Sequence, residues 1–212
     1  MSAPIDDHSQ FGEFLELLKL LVGRAAPTKI VVDVGANGRE RSNSYDLLRL
    51  FGWRGLLIEA NPALTEQIRT DFAGLDYTLV TVAVSDEVGV GTLSLGVNSD
   101  ISSLSPEFTG AWGPVSGSVK VPIRRLPDIL TEHDIPQTFD VLSLDIEGFD
   151  ARVLTDLYDN SEFRPRWVII EGSHNFKVND FTLIGVAKSV SEEYEIASRT
   201  PANLLLRNRR SG

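Results

Sequence analysis

The sequence predicts a doubly wound α/β fold, on three observations. Apolar segments of strand length alternate with segments of helical period from about residue 29 to 207. The strand segments are rich in Val, Ile and Leu, as suits strands buried on both faces of a parallel sheet. Four of them close on an acidic residue, Asp33, Glu59, Asp145 and Glu171. In such a fold these carboxylates share the edge where a ligand binds, at the switch point beside the first strand.

The organising stretch is Lys29-Ile-Val-Val-Asp-Val-Gly-Ala-Asn-Gly38. Ile30, Val31, Val32 and Val34 form a buried strand, and Gly35 and Gly38 turn the chain into a helix beginning near Ser42. A strand, a glycine turn and a helix bring backbone N–H groups up to a ligand. A dinucleotide site needs G-x-G-x-x-G to close on a pyrophosphate. Here the middle glycine is missing and Asp33 would repel phosphate. The pattern suits a ligand bearing an ammonium group and no phosphate, such as the methionine half of S-adenosylmethionine. The plainer reading is that the glycines turn the chain and Asp33 caps the helix. Glu59 weighs against it, lying about 20 residues past the turn, where nucleotide-binding folds place a carboxylate on ribose hydroxyls.

The remaining elements follow in order. Phe11, Phe14, Leu15, Leu18, Leu21 and Val22 share one face of an N-terminal helix within 9–25, closed by Gly23 and Pro27. Strand 29–34 precedes a helix over about 43–51, and strand 56–60 follows. Asn61 is an N-cap with Pro62 at the first helical position. Tyr77–Val84 reads as one strand. Residues 86–123 interrupt the alternation as a Gly- and Ser-rich insertion with β-like patches at Gly91–Leu95 and Val119–Ile123. Its aromatics, Phe108 and Trp112, favour an ordered flap over the site. Pro127 opens a short helix to about His133, and strand 139–145 leads into a helix carrying Val153, Leu154 and Leu157. Strand 166–171, a helix around 180–190 and two closing strands near 194–197 and 203–207 complete the chain.

The 212 residues are read as one domain, 1–212, without internal repeat or linker. There is no Cys, which excludes thiolate metal sites and cysteine catalysis and fits a cytoplasmic location. A formal net charge of -10 speaks against a nucleic-acid partner. No apolar run approaches a membrane span, and Asp6 and Asp7 replace the basic start of a signal peptide.

Four carboxylates on one edge repel one another unless cations or hydrogen-bond donors share the cleft. Two can serve the cofactor. Asp145 and Glu171, from neighbouring strands, remain for a metal, a substrate hydroxyl or a proton. His174, three residues beyond Glu171, is placed to join them.

Val-Val-Asp-Val-Gly-Ala-Asn-Gly (31–38), Ile-Glu-Ala-Asn-Pro (58–62), Val-Ala-Val-Ser (82–85), Ser-Ser-Leu (102–104), Leu-Asp-Ile-Glu-Gly (144–148) and Val-Ile-Ile-Glu (168–171) occur in one order. In that order and spacing the chain resembles the FkbM family of S-adenosylmethionine-dependent methyltransferases. The resemblance implies the class I methyltransferase sheet, seven mostly parallel strands with an antiparallel last strand, and transfer to a hydroxyl oxygen. It implies that Asp33, Gly35, Asn37 and Gly38 cradle the methionine part and Glu59 binds ribose. Ala83 would lie near adenine, Ser103 would belong to the cofactor site, and Asp145 would face cofactor and acceptor. It implies a small-molecule or oligosaccharide acceptor, with a mannoside in methylated polysaccharide synthesis as one candidate, and a second subunit as a contributor to the acceptor site.

Methyl transfer is an in-line displacement in which the protein supplies alignment and a competent oxygen nucleophile. His174, Asp145 or Glu147 can take the hydroxyl proton. Alternatively a divalent cation, magnesium or calcium, held by Asp145, Glu171 and His174 acidifies it. Three other classes stay open. The missing glycine argues against a nicotinamide oxidoreductase. Asp145-Ile-Glu-Gly148, in place of D/N-P-P-Y/F, argues against a nucleobase amino-methyltransferase. The third is a cofactor-binding subunit without catalysis.

Overall fold

In the computed structural model, residues 6–97, 102–172 and 185–210 are described. The main sheet is built from β1 (Ile30–Val34), β2 (Arg54–Glu59), β3 (Tyr77–Thr81), β8 (Val141–Leu144), β9 (Trp167–Glu171), β10 (Tyr194–Arg199) and β11 (Asn203–Asn208). Its seven strands run in the order β10-β11-β9-β8-β1-β2-β3. Strands β3, β2, β1, β8 and β9 are paired in parallel, and β11 is antiparallel to both its neighbours. The chain leaves β1 toward β2 and β3, then returns on the other side at β8. The carboxyl ends of β1 and β8 are therefore the switch point, where a crevice opens because connections diverge to opposite sides.

The alternation of β1 shows why the sheet is buried twice. Ile30, Val32 and Val34 pack into one core with Leu126, Ile129, Val153, Leu154 and Val190. These come from α5 (Leu126–Glu132), α6 (Asp150–Asp159) and α7 (Lys188–Glu193). Val31 points the other way, into Phe14, Leu17, Leu47, Leu48, Ile68 and Phe72. That face is covered by α1 (Glu13–Leu21), α2 (Tyr45–Phe51) and α3 (Thr65–Asp71). The N-terminal helix expected within 9–25 thus covers the sheet. Its shorter start follows from Gly12, whose φ of 88° breaks the helical path. The helix is held by Glu13, a fully buried carboxylate that accepts hydrogen bonds from Thr200 Oγ1 and from Asn203 Nδ2 at 2.9 Å.

A second sheet carries the insertion. Its strands are β4 (Ala83–Val84), β5 (Gly89–Gly96), β6 (Ser102–Ser103) and β7 (Val115–Arg124), in the order β4-β7-β5-β6. The strand expected over Tyr77–Val84 is therefore two. Val82 separates them, and Ala83 and Val84 leave the main sheet to pair with Ile123 and Arg124. The two β-like patches lengthen into the β5–β7 hairpin. Between them lies a helix that the periodicity does not announce, α4 (Pro106–Trp112). Ser105 caps it by accepting the Phe108 N–H at 3.2 Å, and Pro106 stands at its first position. The helix expected around 180–190 is seen from Lys188 onward; residues 180–184 lie outside the described residues.

Candidate active site

A cleft opens at the switch point, between the main sheet and the second sheet. Its floor is the carboxyl edge of the main sheet. From β8 to β3 the edge presents Asp145, Ile146 and Glu147, then Val34, Gly35 and Asn37, then Ile58, Glu59 and Ala60, then Val82. Leu93, Ser102 and Leu104 of the second sheet close the roof, and Ala83 and Val84 the far wall.

Gly35 has a geometric reason to be glycine. Its φ is 88°, and a Cβ built there would lie 1.9 Å from the carbonyl oxygen of Asp145. Only a bare backbone lets the turn after β1 meet the turn after β8. The approach is fixed by the Asp145 N–H donating to Val34 O at 3.0 Å and the Gly35 N–H donating to Ile58 O at 2.8 Å. Asn37 also takes a positive φ, 44°. Gly38 lies off the cleft, buried against α3, where a Cβ would come within 3.0 Å of Gln67 Nε2.

Glu59 is buried, and its two oxygens accept backbone N–H groups from Asn37 at 3.0 Å and Asn61 at 2.7 Å. Burial pushes its carboxyl up, and those N–H groups oppose the rise. The bonds fix the carboxylate in the cleft wall. Each oxygen keeps lone pairs for a ligand hydroxyl. Asn61 also caps the 3-10 turn Pro62–Leu64, accepting the Ala63 N–H at 3.1 Å.

Asp33 stands behind the cleft. It follows Val31 onto the α2 face of the sheet, and its Oδ2 accepts from Ser44 Oγ at 2.5 Å. Burial raises its pKa, while hydrogen bonds from Ser44 and Ser143 lower it. Asn43 Nδ2 donates to Ser143 Oγ at 3.1 Å, extending this polar knot between α2 and the strand ends.

The β8 and β9 ends are different. Leu144 is in register with Ile170, so Asp145 and Glu171 leave neighbouring strands at one level. Asp145 lines the cleft; Glu171 does not. The Asp145 carboxyl is held well above its ordinary pKa by burial first, and then by the negative charges of Asp150, Glu147, Glu171 and Asp33. Glu171 is raised to about 7 by burial and by Asp150. Asp150, buried at the start of α6, is also raised by burial, and its Oδ1 accepts the Ile146 N–H at 3.2 Å. Among the described residues, no three His, Cys, Asp or Glu side chains converge to hold a metal ion. His174, proposed as base or ligand, lies outside the described residues.

The second sheet is fastened to the β8 turn at two points. Ser103 Oγ donates to the Glu147 carbonyl oxygen at 2.8 Å and accepts the Ser105 N–H at 3.0 Å. Gly148, at φ 95°, meets the Phe108 ring, 2.9 Å from where its Cβ would be. Ser103 is thus occupied in closing the roof. The neighbouring Ser102 is the serine that lines the cleft. The alternation of a strand carries that signal in the sequence, since Ser102 shares a face with the apolar Leu104.

The family model described as Methyltransferase FkbM domain matches residues 33–188, most of the chain. The chain belongs to the FkbM methyltransferase family. The crystal structure of methyltransferase FkbM from Methylobacillus flagellatus KT is similar over 93% of this chain, with a TM-score of 0.56 and 17% sequence identity. The chain spans 48% of that protein, about half its length. A mutant of MtNAS in complex with S-adenosylmethionine aligns over 92% of this chain and 62% of its own, at 16% identity and a TM-score of 0.44. No curated protein matches the chain in sequence. The seven-stranded sheet with its antiparallel β11 is the class I arrangement that the resemblance implies.

Proposed function

We propose that this FkbM-family chain transfers a methyl group from S-adenosylmethionine to a hydroxyl of a sugar-containing small molecule. The observation that carries the reading is the convergence of Gly35, Asn37, Glu59, Ala83 and Asp145 on one cleft. The residues present fit the cofactor. The Gly35 cradle leaves no room for a side chain, Glu59 offers fixed acceptors to a ribose diol, and Ala83, Val84 and Leu93 offer an apolar wall to a purine. The acidic β8 end suits an ammonium group and a sulfonium centre.

When bound, the cofactor supplies an electrophilic methyl carbon on positively charged sulfur. The carbon–sulfur bond breaks as the carbon–oxygen bond forms, sulfur becomes neutral, and the acceptor hydroxyl gives up its proton. Asp145 and Glu147 line that end of the cleft and are the described carboxylates able to orient the hydroxyl and receive its proton. Carboxylates accept hydrogen bonds from several hydroxyls at once, which favours a polyhydroxylated acceptor over a phosphorylated one. The second reading, with a cation on Asp145 and Glu171, depends on ligation by His174 or by the acceptor.

Calorimetry with S-adenosylhomocysteine tests the cofactor assignment: saturable one-to-one binding is expected, with no heat from NAD. Binding of NAD alone would overturn it. Methyl release with a panel of neutral glycosides against their phosphates then tests the acceptor class. Repeating turnover after exhaustive chelation separates the two mechanistic readings. Unchanged turnover is expected without a metal, and loss restored by magnesium would establish the cation.

A further inference from the structure

Ser102 Oγ is buried in the cleft wall and has no hydrogen-bond partner among the described residues. A buried hydroxyl left unpaired is uncommon in a native protein and calls for an explanation. Its place in the two sheets supplies one. The roof order is β4-β7-β5-β6, so Ala83 and Ser102 lie on opposite edges. They also differ in level: Ala83 pairs with Ile123 and so stands level with Gly89 of β5, whereas Ser102 stands level with Leu95, six residues further along. The Ser103 bond to the Glu147 carbonyl, 2.8 Å, seats the β6 edge of the roof over the β8 end of the floor. The cleft therefore has one direction. Ala83 marks one end, Glu59 the middle, and Ser102 with Asp145 and Glu147 the other end.

A cofactor with its purine at Ala83 and its ribose at Glu59 brings its amino-acid tail to the Ser102 end. That tail carries an ammonium and a carboxylate. Asp145 and Glu147 match the ammonium and repel the carboxylate, which needs a donor among them. A serine hydroxyl is such a donor, and rotation about its one side-chain bond turns it into the cleft.

We infer that Ser102 donates a hydrogen bond to the α-carboxylate of the cofactor's methionine part, at the end of the cleft that holds the acidic Asp145 and Glu147. The inference rests on the cofactor reading given above. It gives the insertion a residue that touches the cofactor directly.

The test compares two ligands on two proteins by calorimetry. S-adenosylhomocysteine carries the carboxylate, and its decarboxylated counterpart, the adenosyl thiopropylamine, lacks it. Ser102→Ala is expected to weaken S-adenosylhomocysteine about tenfold or more, the range for a hydrogen bond to a charged group, and to leave the amine unchanged. Ser102→Thr, which keeps the hydroxyl, is expected to retain wild-type binding of both. Equal loss on the two ligands, or no loss on either, would overturn the assignment. Wild-type protein that binds neither ligand would instead overturn the cofactor reading beneath it. The unliganded melting temperature should not fall, since the hydroxyl has no partner among the described residues. Should alanine lower it, Ser102→Cys keeps the size while giving up a strong donor, and carries the same comparison.

Discussion

Glu59 and Asp145 both end central strands, and both line the cleft, yet their surroundings are opposite. Glu59 is gripped by two backbone N–H groups, at 3.0 and 2.7 Å, so its position is set before any ligand arrives. Asp145 is surrounded by Asp150, Glu147, Glu171 and Asp33, and each of these makes its charge harder to hold. The β1–β2 side of the cleft is a rigid acceptor of hydrogen bonds. The β8–β9 side is an electrostatically loaded end that gains by meeting a cation or keeping a proton. On the proposed reaction, transfer of a methyl group from a cation to a hydroxyl has use for both: one side would hold the nucleotide part still, and the other would face the changing charge.

Joining the two sides at Gly35 offers the largest effect. Gly35→Ala would drive a methyl group into the Asp145 carbonyl, 1.9 Å away, and ask for a φ of 88° from a residue that avoids it. Neither atom belongs to a flexible side chain, so β1 and β8 must separate. We expect a loss of at least about 3 kcal/mol in chemical denaturation, or failure to fold. A stable variant that binds S-adenosylhomocysteine normally would show that the two turns do not need to touch.

The next effect separates two acids that the sequence treats alike. Glu59→Ala should weaken S-adenosylhomocysteine by about 1–3 kcal/mol, roughly 5–150-fold, by removing a fixed acceptor from the cleft wall. Asp33→Ala removes a carboxyl that is bonded to Ser44 and absent from the cleft lining. Its expected cost is therefore mainly in stability, about 1–3 kcal/mol for the stranded partners, with a smaller change in affinity. Paired melting and calorimetry would reverse this assignment if Asp33→Ala lost affinity and kept its melting temperature.

That pair also shows how far the sequence could be read. Buried strands ending in acids on one edge were legible, because apolar runs and glycine turns follow from local rules. Which acid faces the ligand was not. Asp33 lies level with Leu57, inside the sheet and in phase with Val31 toward α2, while Glu59 is two residues beyond Leu57 in the same phase, at the edge and within reach of the Asn37 N–H, so position along the strand decides between core and cleft. The second sheet was half legible. The patches at Gly91–Leu95 and Val119–Ile123 marked the hairpin, but the departure of Ala83 from the main sheet depends on pairing with Ile123, forty residues away. The helix α4 was hidden by its brevity, although Ser105-Pro106 is a helix start. The Ser-Ser-Leu motif names both serines without saying which way they point: Ser102 lines the cleft and Ser103 bonds the Glu147 carbonyl.

The smallest effect probes the loaded side through pH. Glu171 titrates at about 7 in the fold, against an ordinary 4.5, because it is partly desolvated beside Asp150. Between those values the folded protein keeps a proton that the unfolded chain releases. Its contribution to stability is therefore complete below about 4.5 and is lost as pH rises through about 7. Glu171→Gln removes the titrating group and keeps the shape. The wild-type melting temperature should fall relative to the variant between these pH values, with the variant the more stable at pH 8. Solvent at this half-exposed position screens the effect, so a shift of a few degrees is the expected scale. The same scan on Glu59→Gln should slope the same way, because burial raises the Glu59 carboxyl too. It should do so from a lower start, since the amide keeps one acceptor oxygen and leaves one of the two N–H groups unmet. Parallel curves for wild type and Glu171→Gln across the whole range would mean that Glu171 is already paired with a cation, and would return attention to a metal at the β8–β9 end.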